Sequence, residues 1–276
     1  MSSSPKKYKA TAVSYLNTKP FLYGIFNTEM DQEIDIQLDI PSVCANKLLS
    51  GEVDFGLVPV AIIPQLEHPY LISDYCIGTV GAVKTVAIYS DVPLEEVTEL
   101  YLDFHSRTSV QLAQILLREH WQLAPTLLKA EEGFIDKIKD RRAAVVIGDR
   151  CIGLHQKHKY AYDLGTAWLE LTGLPFVFAT WVSNRPLPSD FVNRFNVAMQ
   201  AGLDHIPQLV QLLPTPVAEF DLHTYFNKHI SYPFDSLKKE ALAKFLNYMG
   251  SNKMPMVQQG KEMVTLAGEN PEEKII

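Results

Sequence analysis

Polar and apolar positions follow two periods that take turns along the chain. In Tyr8-Lys9-Ala10-Thr11-Ala12-Val13 the apolar residues recur at every second position, which predicts a strand. It ends at Ser14-Tyr15-Leu16-Asn17, and Pro20 opens a helical stretch to Phe26. A strict period of two returns over 34–40 and is stopped by Pro41; Ser42 is then placed to cap a helix that runs to Leu49 and is closed by Gly51. Residues 53–59 predict a buried strand, with Pro59 suited to the first turn of the helix after it. Further strands are predicted over 72–76, 85–90, 100–104 and 143–147, the last apolar throughout, as a strand covered on both faces must be. Val110, Leu112, Ala113, Leu116, Leu117 and Trp121 recur at helical spacing and predict a helix over 110–121. Beyond Pro188 the pattern is helical, with helices expected over 189–213 and 221–249, separated by Pro214 and Pro216.

Strands alternating with helices predict an α/β fold, with helices on both faces of a parallel or mixed sheet. Two such blocks are expected, 8–90 and 91–185, joined by extended crossovers, with a helical segment over 186–276 packing mainly on the first. The arrangement resembles the two-lobed, type II periplasmic-binding-protein fold, in which a ligand sits between the lobes at the C-terminal ends of the strands. Composition narrows the class further. With 47% hydrophobic and 21% charged residues in 276, the chain is neither disordered nor collagenous. No run approaches the ~18 apolar residues of a membrane span. The opening Met1-Ser2-Ser3-Ser4-Pro5-Lys6-Lys7 is polar and expected to fray; no apolar leader comes after it, which points to the cytoplasm. Cys44, Cys76 and Cys151 lie far apart and are expected as buried thiols, without disulfide or zinc. A net charge of −7 with no long basic run argues against nucleic acid, but an acidic protein still binds an anion through a helix N-terminus and one or two cations.

Five segments carry candidate chemistry. Ser14, Asn17, Thr18 and Lys19 fall with Tyr15 between a strand and a helix, where they either face a cleft or cap the helix. Ser106-Arg107-Thr108-Ser109 concentrates hydroxyls and a guanidinium at a helix start after a buried strand, which suits a carboxylate. Gly148-Asp149 ends the apolar strand 143–147; Asp149 could orient a ligand hydroxyl, pair with Arg107 or cap the next turn. Gly78 and Gly81 near a crossover suggest close backbone approach to a ligand or a hinge, and Val58 ends a strand that could line the cleft. The eight histidines are scattered without metal-ligand spacing, and Trp168, Trp181 and Phe176-Val177-Phe178 are expected in the core.

Taken together, the segments resemble the chorismate dehydratases of the futalosine route to menaquinone. Val13-Ser14-Tyr15-Leu16-Asn17-Thr18-Lys19-Pro20 is similar to that family's opening motif. Cys76-Ile77-Gly78, Leu102-Asp103, Ser106-Arg107-Thr108-Ser109-Val110, Ile147-Gly148-Asp149, Asp163-Leu164-Gly165 and the stretch from Trp168 to Ala179 come in the family's order. One departure is Thr79-Val80-Gly81-Ala82-Val83, where many members read Ser-Asp-Gly-Pro-Val and turn a polar side chain to the ligand. The resemblance implies loss of water from the dianion chorismate to give 3-[(1-carboxyvinyl)oxy]benzoate. The ring becomes aromatic, so the driving force lies in the substrate and neither metal nor organic cofactor is expected. Ser106, Arg107, Thr108 and Ser109 would hold a carboxylate, and Asn17 with Ser14 would serve the reacting region. Tyr15, Thr18, Val58, Gly81, Gly148 and Asp149 complete the expected contacts. His105, Asp149 or a carboxylate of the substrate itself could act as base. The alternative is a binding module of the same fold for an aromatic carboxylate.

Overall fold

The computed structural model describes residues 7–266 apart from 252, 260 and 261. The expectations for residues 1–6 and for the tail past 266 lie outside the described residues. In chain order the strands are β1 (Tyr8–Val13), β2 (Ile34–Asp39), β3 (Phe55–Pro59), β4 (Tyr70–Thr79), β5 (Val86–Ser90), β6 (Glu99–Leu102) and β7 (Thr126–Lys129). They continue with β8 (Arg142–Ile147), β9 (Tyr160–Asp163), β10 (Phe176–Ser183), β11 (Ser231–Pro233), β12 (Met256–Gln259) and β13 (Glu262–Thr265). The helices are α1 (Lys19–Phe26), α2 (Met30–Glu33), α3 (Pro41–Leu49), α4 (Thr108–Glu119), α5 (Leu164–Thr172), α6 (Ser189–Asp204), α7 (Ile206–Leu212), α8 (Leu222–Thr224) and α9 (Ser236–Tyr248).

Two mixed sheets result. The eight-stranded one runs β13-β12-β4-β10-β3-β1-β2, with β11 also paired to β4; the five-stranded one runs β7-β6-β8-β5-β9. In the first, β1 lies parallel to β2 and β3, with Ala10 opposite both Ile36 and Phe55. In the second, β6 is parallel to β8 and β7. The chain passes between the sheets twice, after β4 and again after α5. That double crossing moves two strands out of their expected blocks. The strand at 86–90, placed by sequence order in the first block, pairs with β8 and β9, while the strand at 176–183, placed in the second, pairs with β3 and β4. Every residue of β10 is buried. An apolar run covered on both faces belongs at a sheet's centre, and period alone does not say which sheet.

The core of the larger sheet is aromatic. Phe55 meets Trp181, Phe191 and Phe195 at centroid distances of 6.0, 5.8 and 5.5 Å, and Trp168 meets Phe176 at 5.1 Å. Both tryptophans have no exposed surface, as expected of core residues. The C-terminal expectation changes more. Helix 189–213 is broken at His205, because Pro207 sits in the first turn of α7 and cannot donate to the preceding turn. The expected helix 221–249 is interrupted by a π-helical turn, Tyr225–His229, and by β11. Tyr232 precedes Pro233 and is thereby held extended. The hairpin of β12 and β13 is a further non-helical part of this segment. At α3, Ile40 is the capping position and Pro41 the first helical residue, so Ser42 lies inside the helix.

Candidate active site

Strands β1 and β3 of one sheet and β6 and β8 of the other deliver their C-terminal ends to one cleft. Val13, Pro59 and Ile147, the last residues of β1, β3 and β8, all line it. The cavity between the closed lobes is about 50 Å³, below the ~300–1,000 Å³ of small-molecule sites, so a ligand of that size enters as the lobes part. Most of its wall is apolar, including Pro41, Ile77, Val83, Val86, Phe178 and Ala179. Its polar side chains are Tyr15, Asn17 and Thr85, and Ser106, Thr108 and Ser109 at the start of α4. A larger cavity of about 370 Å³ opens between the second sheet and residues 219–229, with Lys84, His155, Glu219, Asp221 and His229 on its wall. It lies away from these strand ends and mixes charges of both signs, so the smaller cleft is the better candidate.

The start of α4 is built for an acceptor of negative charge, though not with the residues expected. The Ser106 hydroxyl accepts from the Ser109 N–H at 2.9 Å, which winds the first turn. The Thr108 hydroxyl donates to the Phe178 carbonyl (2.9 Å) and accepts from the Ala61 N–H (3.2 Å), so it ties the two sheets together at the cleft. Arg107 is exposed, reaches Asn46 Oδ1 at 3.4 Å and is absent from the wall. The guanidinium expected there is therefore replaced by backbone N–H groups of a helix terminus.

Asn17 is held from behind by two tyrosines of the C-terminal segment. The Tyr232 hydroxyl donates to the Asn17 carbonyl at 3.0 Å. The Tyr225 hydroxyl lies 3.1 Å from Thr85 Oγ1, and the Asn17 side chain interacts with the same hydroxyl. Burial raises the Tyr225 pKa, so the phenol keeps its proton. Neither tyrosine is legible in the sequence, where the segment reads as one more helix. Thr85 leads an apolar strand and gives the signal of a lone hydroxyl before that strand.

Tyr15, Gly148 and Asp149 close the cleft at its front. The Tyr15 hydroxyl bonds His105 Nδ1 at 2.9 Å across the two sheets. The Tyr15 ring lies so close to Gly148 that a Cβ there would fall 2.5 Å from its Cε2. Asp149 accepts from the Leu16 N–H with both oxygens, at 3.2 and 3.1 Å, and does not meet Arg107. Burial raises the pKa of Tyr15 and of Asp149; it lowers that of His105, with the Arg150 charge acting in the same direction. Arg150 itself pairs with the buried Asp103, which also accepts from the His105 and Ile147 N–H groups at 3.0 and 3.1 Å.

Of the expected contacts, Tyr15, Asn17, Ser106, Thr108, Ser109 and Gly148 come together on the wall; Ser14, Thr18, Val58, Gly81, Arg107 and Asp149 do not line it. Ser14 is exposed, its N–H given to the Asp39 carbonyl. Thr18 is fully buried beside Asn17. Val58 points away, because side chains alternate along a strand and Pro59 takes the facing position. Gly81 turns at φ +86° beside Leu169. Val80, expected to replace a side chain facing the ligand, is 60% exposed and off the wall. Phe178, expected in the core, is buried and also lines the cleft.

The fold and the interlobe cleft define a protein of the periplasmic-binding-protein-like class. A crystal structure of a protein from Archaeoglobus fulgidus is similar at a TM-score of 0.67, with 12% identity, over 88% of this chain and 97% of that one. A Candida albicans protein described as having the generic periplasmic binding protein fold is similar at 0.57, with 11% identity, over 90% of this chain and 92% of that one. Within that class residues 8–251 match the family described as menaquinone biosynthesis, and the chain belongs to it. A Thermus thermophilus protein named chorismate dehydratase is 28% identical over 194 residues, which span 62% of this chain and 70% of that protein. Among the described residues no helix is long and apolar enough to cross a membrane.

Proposed function

We propose that the protein is a chorismate dehydratase, a hydro-lyase that converts chorismate to 3-[(1-carboxyvinyl)oxy]benzoate in menaquinone biosynthesis. The observation that carries this reading is the composition of the cleft wall. Hydrogen-bonding groups stand in two clusters, Ser106 and Ser109 with the α4 terminus and Asn17 with Thr85, and the wall between them is apolar. A carbocyclic acid fits that pattern: a carboxylate on the helix terminus, the ring on Phe178 and Ile147, and the departing hydroxyl at Asn17 and Thr85.

The described residues on the wall include no carboxylate, imidazole or amine. His105 is engaged by Tyr15, and Asp149 by Leu16, so both bases considered from the sequence are occupied in holding the lobes. A carboxylate of the substrate then takes the ring proton. The C–H bond breaks toward that oxygen, the C–O bond of the ring hydroxyl breaks, and proton and hydroxide leave as water while the ring becomes aromatic. The protein contributes orientation and hydrogen bonds to the departing oxygen.

Purified protein with chorismate should give a product lighter by about 18 mass units with an aromatic spectrum, the mass of one water lost to elimination. Asn17→Ala should lose about 10²-fold or more in kcat, with its unfolding temperature little changed. Unchanged chorismate that nevertheless stabilises the fold against heat would replace this reading with a binding module.

A further inference from the structure

We infer that Tyr225 is a positioning residue for the elimination, its hydroxyl fixing the Thr85 hydroxyl on the cleft wall shared with Asn17, at the point where the substrate hydroxyl departs. The inference rests on the dehydratase reading and goes beyond it, because Tyr225 lies 140 positions from Thr85 and comes from the C-terminal segment. Its ring is 1% exposed and stands between Thr85 and the second cavity, whose wall it also forms. The residue opens the π-helical turn Tyr225–His229, a rare wide turn that interrupts the expected helix at the site itself.

The hydrogen-bond inventory gives the hydroxyl a definite task. A phenol has one hydrogen and two lone pairs, and an amide NH₂ only donates. The Tyr225 hydroxyl lies 3.1 Å from Thr85 Oγ1, where either oxygen can donate, and the Asn17 side chain approaches the same hydroxyl. The Thr85 hydroxyl also lies 3.5 Å from the Val83 carbonyl, so Oγ1 is held between that carbonyl and Tyr225 at the cleft wall, where a leaving hydroxide needs a partner. Tyr232 holds the Asn17 backbone from the same segment, so Thr85 and Asn17 are both mounted on residues 225–232.

Tyr225→Phe removes the hydroxyl and keeps the ring. Its kcat should fall on the order of 10–100-fold, with KM within about threefold of the parent. On a Thr85→Val background the same change should cost little more, since the group it orients is already gone. Full kcat in Tyr225→Phe, or losses that simply multiply in the double variant, would overturn the inference. If the phenylalanine variant does not fold, 3,5-difluorotyrosine at 225 keeps shape and hydroxyl but is a stronger acid. Being also a weaker hydrogen-bond acceptor, it should lower kcat while KM holds, and an unchanged kcat would overturn the inference equally. No turnover by the unsubstituted protein would instead remove the dehydratase reading, and this inference with it.

Discussion

Gly148 has φ +69°, and the Cβ of any other residue would fall within 2.5–2.8 Å of three Tyr15 ring atoms. Both effects act on Gly148→Ala. The left-handed backbone alone costs about 1–2 kcal/mol for an L-residue, and the Tyr15 ring must also swing away from His105. Gly173 shares the first effect without the second, having φ +72° and nothing within 4 Å of its would-be Cβ. Denaturant midpoints should therefore show Gly148→Ala losing more stability than Gly173→Ala, and KM for the former should rise several-fold because Tyr15 lines the cleft. Equal losses would dismiss the Tyr15 contact. At this scale the sequence was informative where backbone geometry set the residue type: Gly148, Asn17 and the serines of 106–109 are visible as a glycine after an apolar strand and as hydroxyls at a helix start. It was misleading for Arg107 and Ser14, since residue type does not say on which side of a loop a side chain emerges.

Both chain crossings between the sheets are fastened by one side chain. Asp163 Oδ1 accepts from the N–H groups of Val83, Gly165 and Thr166 at 3.2, 3.0 and 3.0 Å, and Oδ2 from Lys84 at 2.7 Å. Asp163 thereby caps α5 on the second crossing and binds the first crossing to it. Asp163→Ala leaves four donors without these acceptors, and the expected loss is about 3 kcal/mol, from the cap together with the unmet N–H groups. Asp163→Asn keeps one acceptor oxygen and should lose clearly less. Urea unfolding of the two variants checks the order; similar losses would mean that water replaces the aspartate without cost. The helices and strands themselves were mostly legible through period, since α1, α4, β1, β2 and β8 fall where hydrophobic spacing puts them. The assignment of strands to sheets was not. The 86–90 and 176–183 strands exchange lobes because pairing partners are set by contacts distant in sequence. The 221–249 segment keeps its helix over α9 and is interrupted before it by Pro233 and by the wide turn that brings Tyr225 to Thr85.

The two lobes are held shut by contacts that titrate differently. Tyr15 to His105 and Leu16 to Asp149 cross between the sheets, as do Ser42 N–H to the His105 carbonyl at 3.0 Å and Thr108 to Phe178. Burial, with Arg150 nearby, lowers the His105 pKa from 6.5, so the folded protein resists a proton that the unfolded chain accepts. The corresponding stability is present above pH 6.5 and is lost as the pH falls from there through the lowered value. Asp149 acts in the opposite sense. Burial raises its pKa above 3.8, so its penalty is complete above the raised value and is relieved as acid approaches 3.8. His105→Asn keeps an acceptor for the Tyr15 hydroxyl and removes the titration, leaving Asp149 common to both proteins. Unfolding temperatures measured from pH 7 down to pH 5 should fall more steeply for the parent than for His105→Asn, with the two similar at pH 7. The same closure governs access to the cleft, so the parent's KM should rise over that interval more than the variant's. Parallel curves in both measurements would mean that the Tyr15–His105 contact carries no pH dependence.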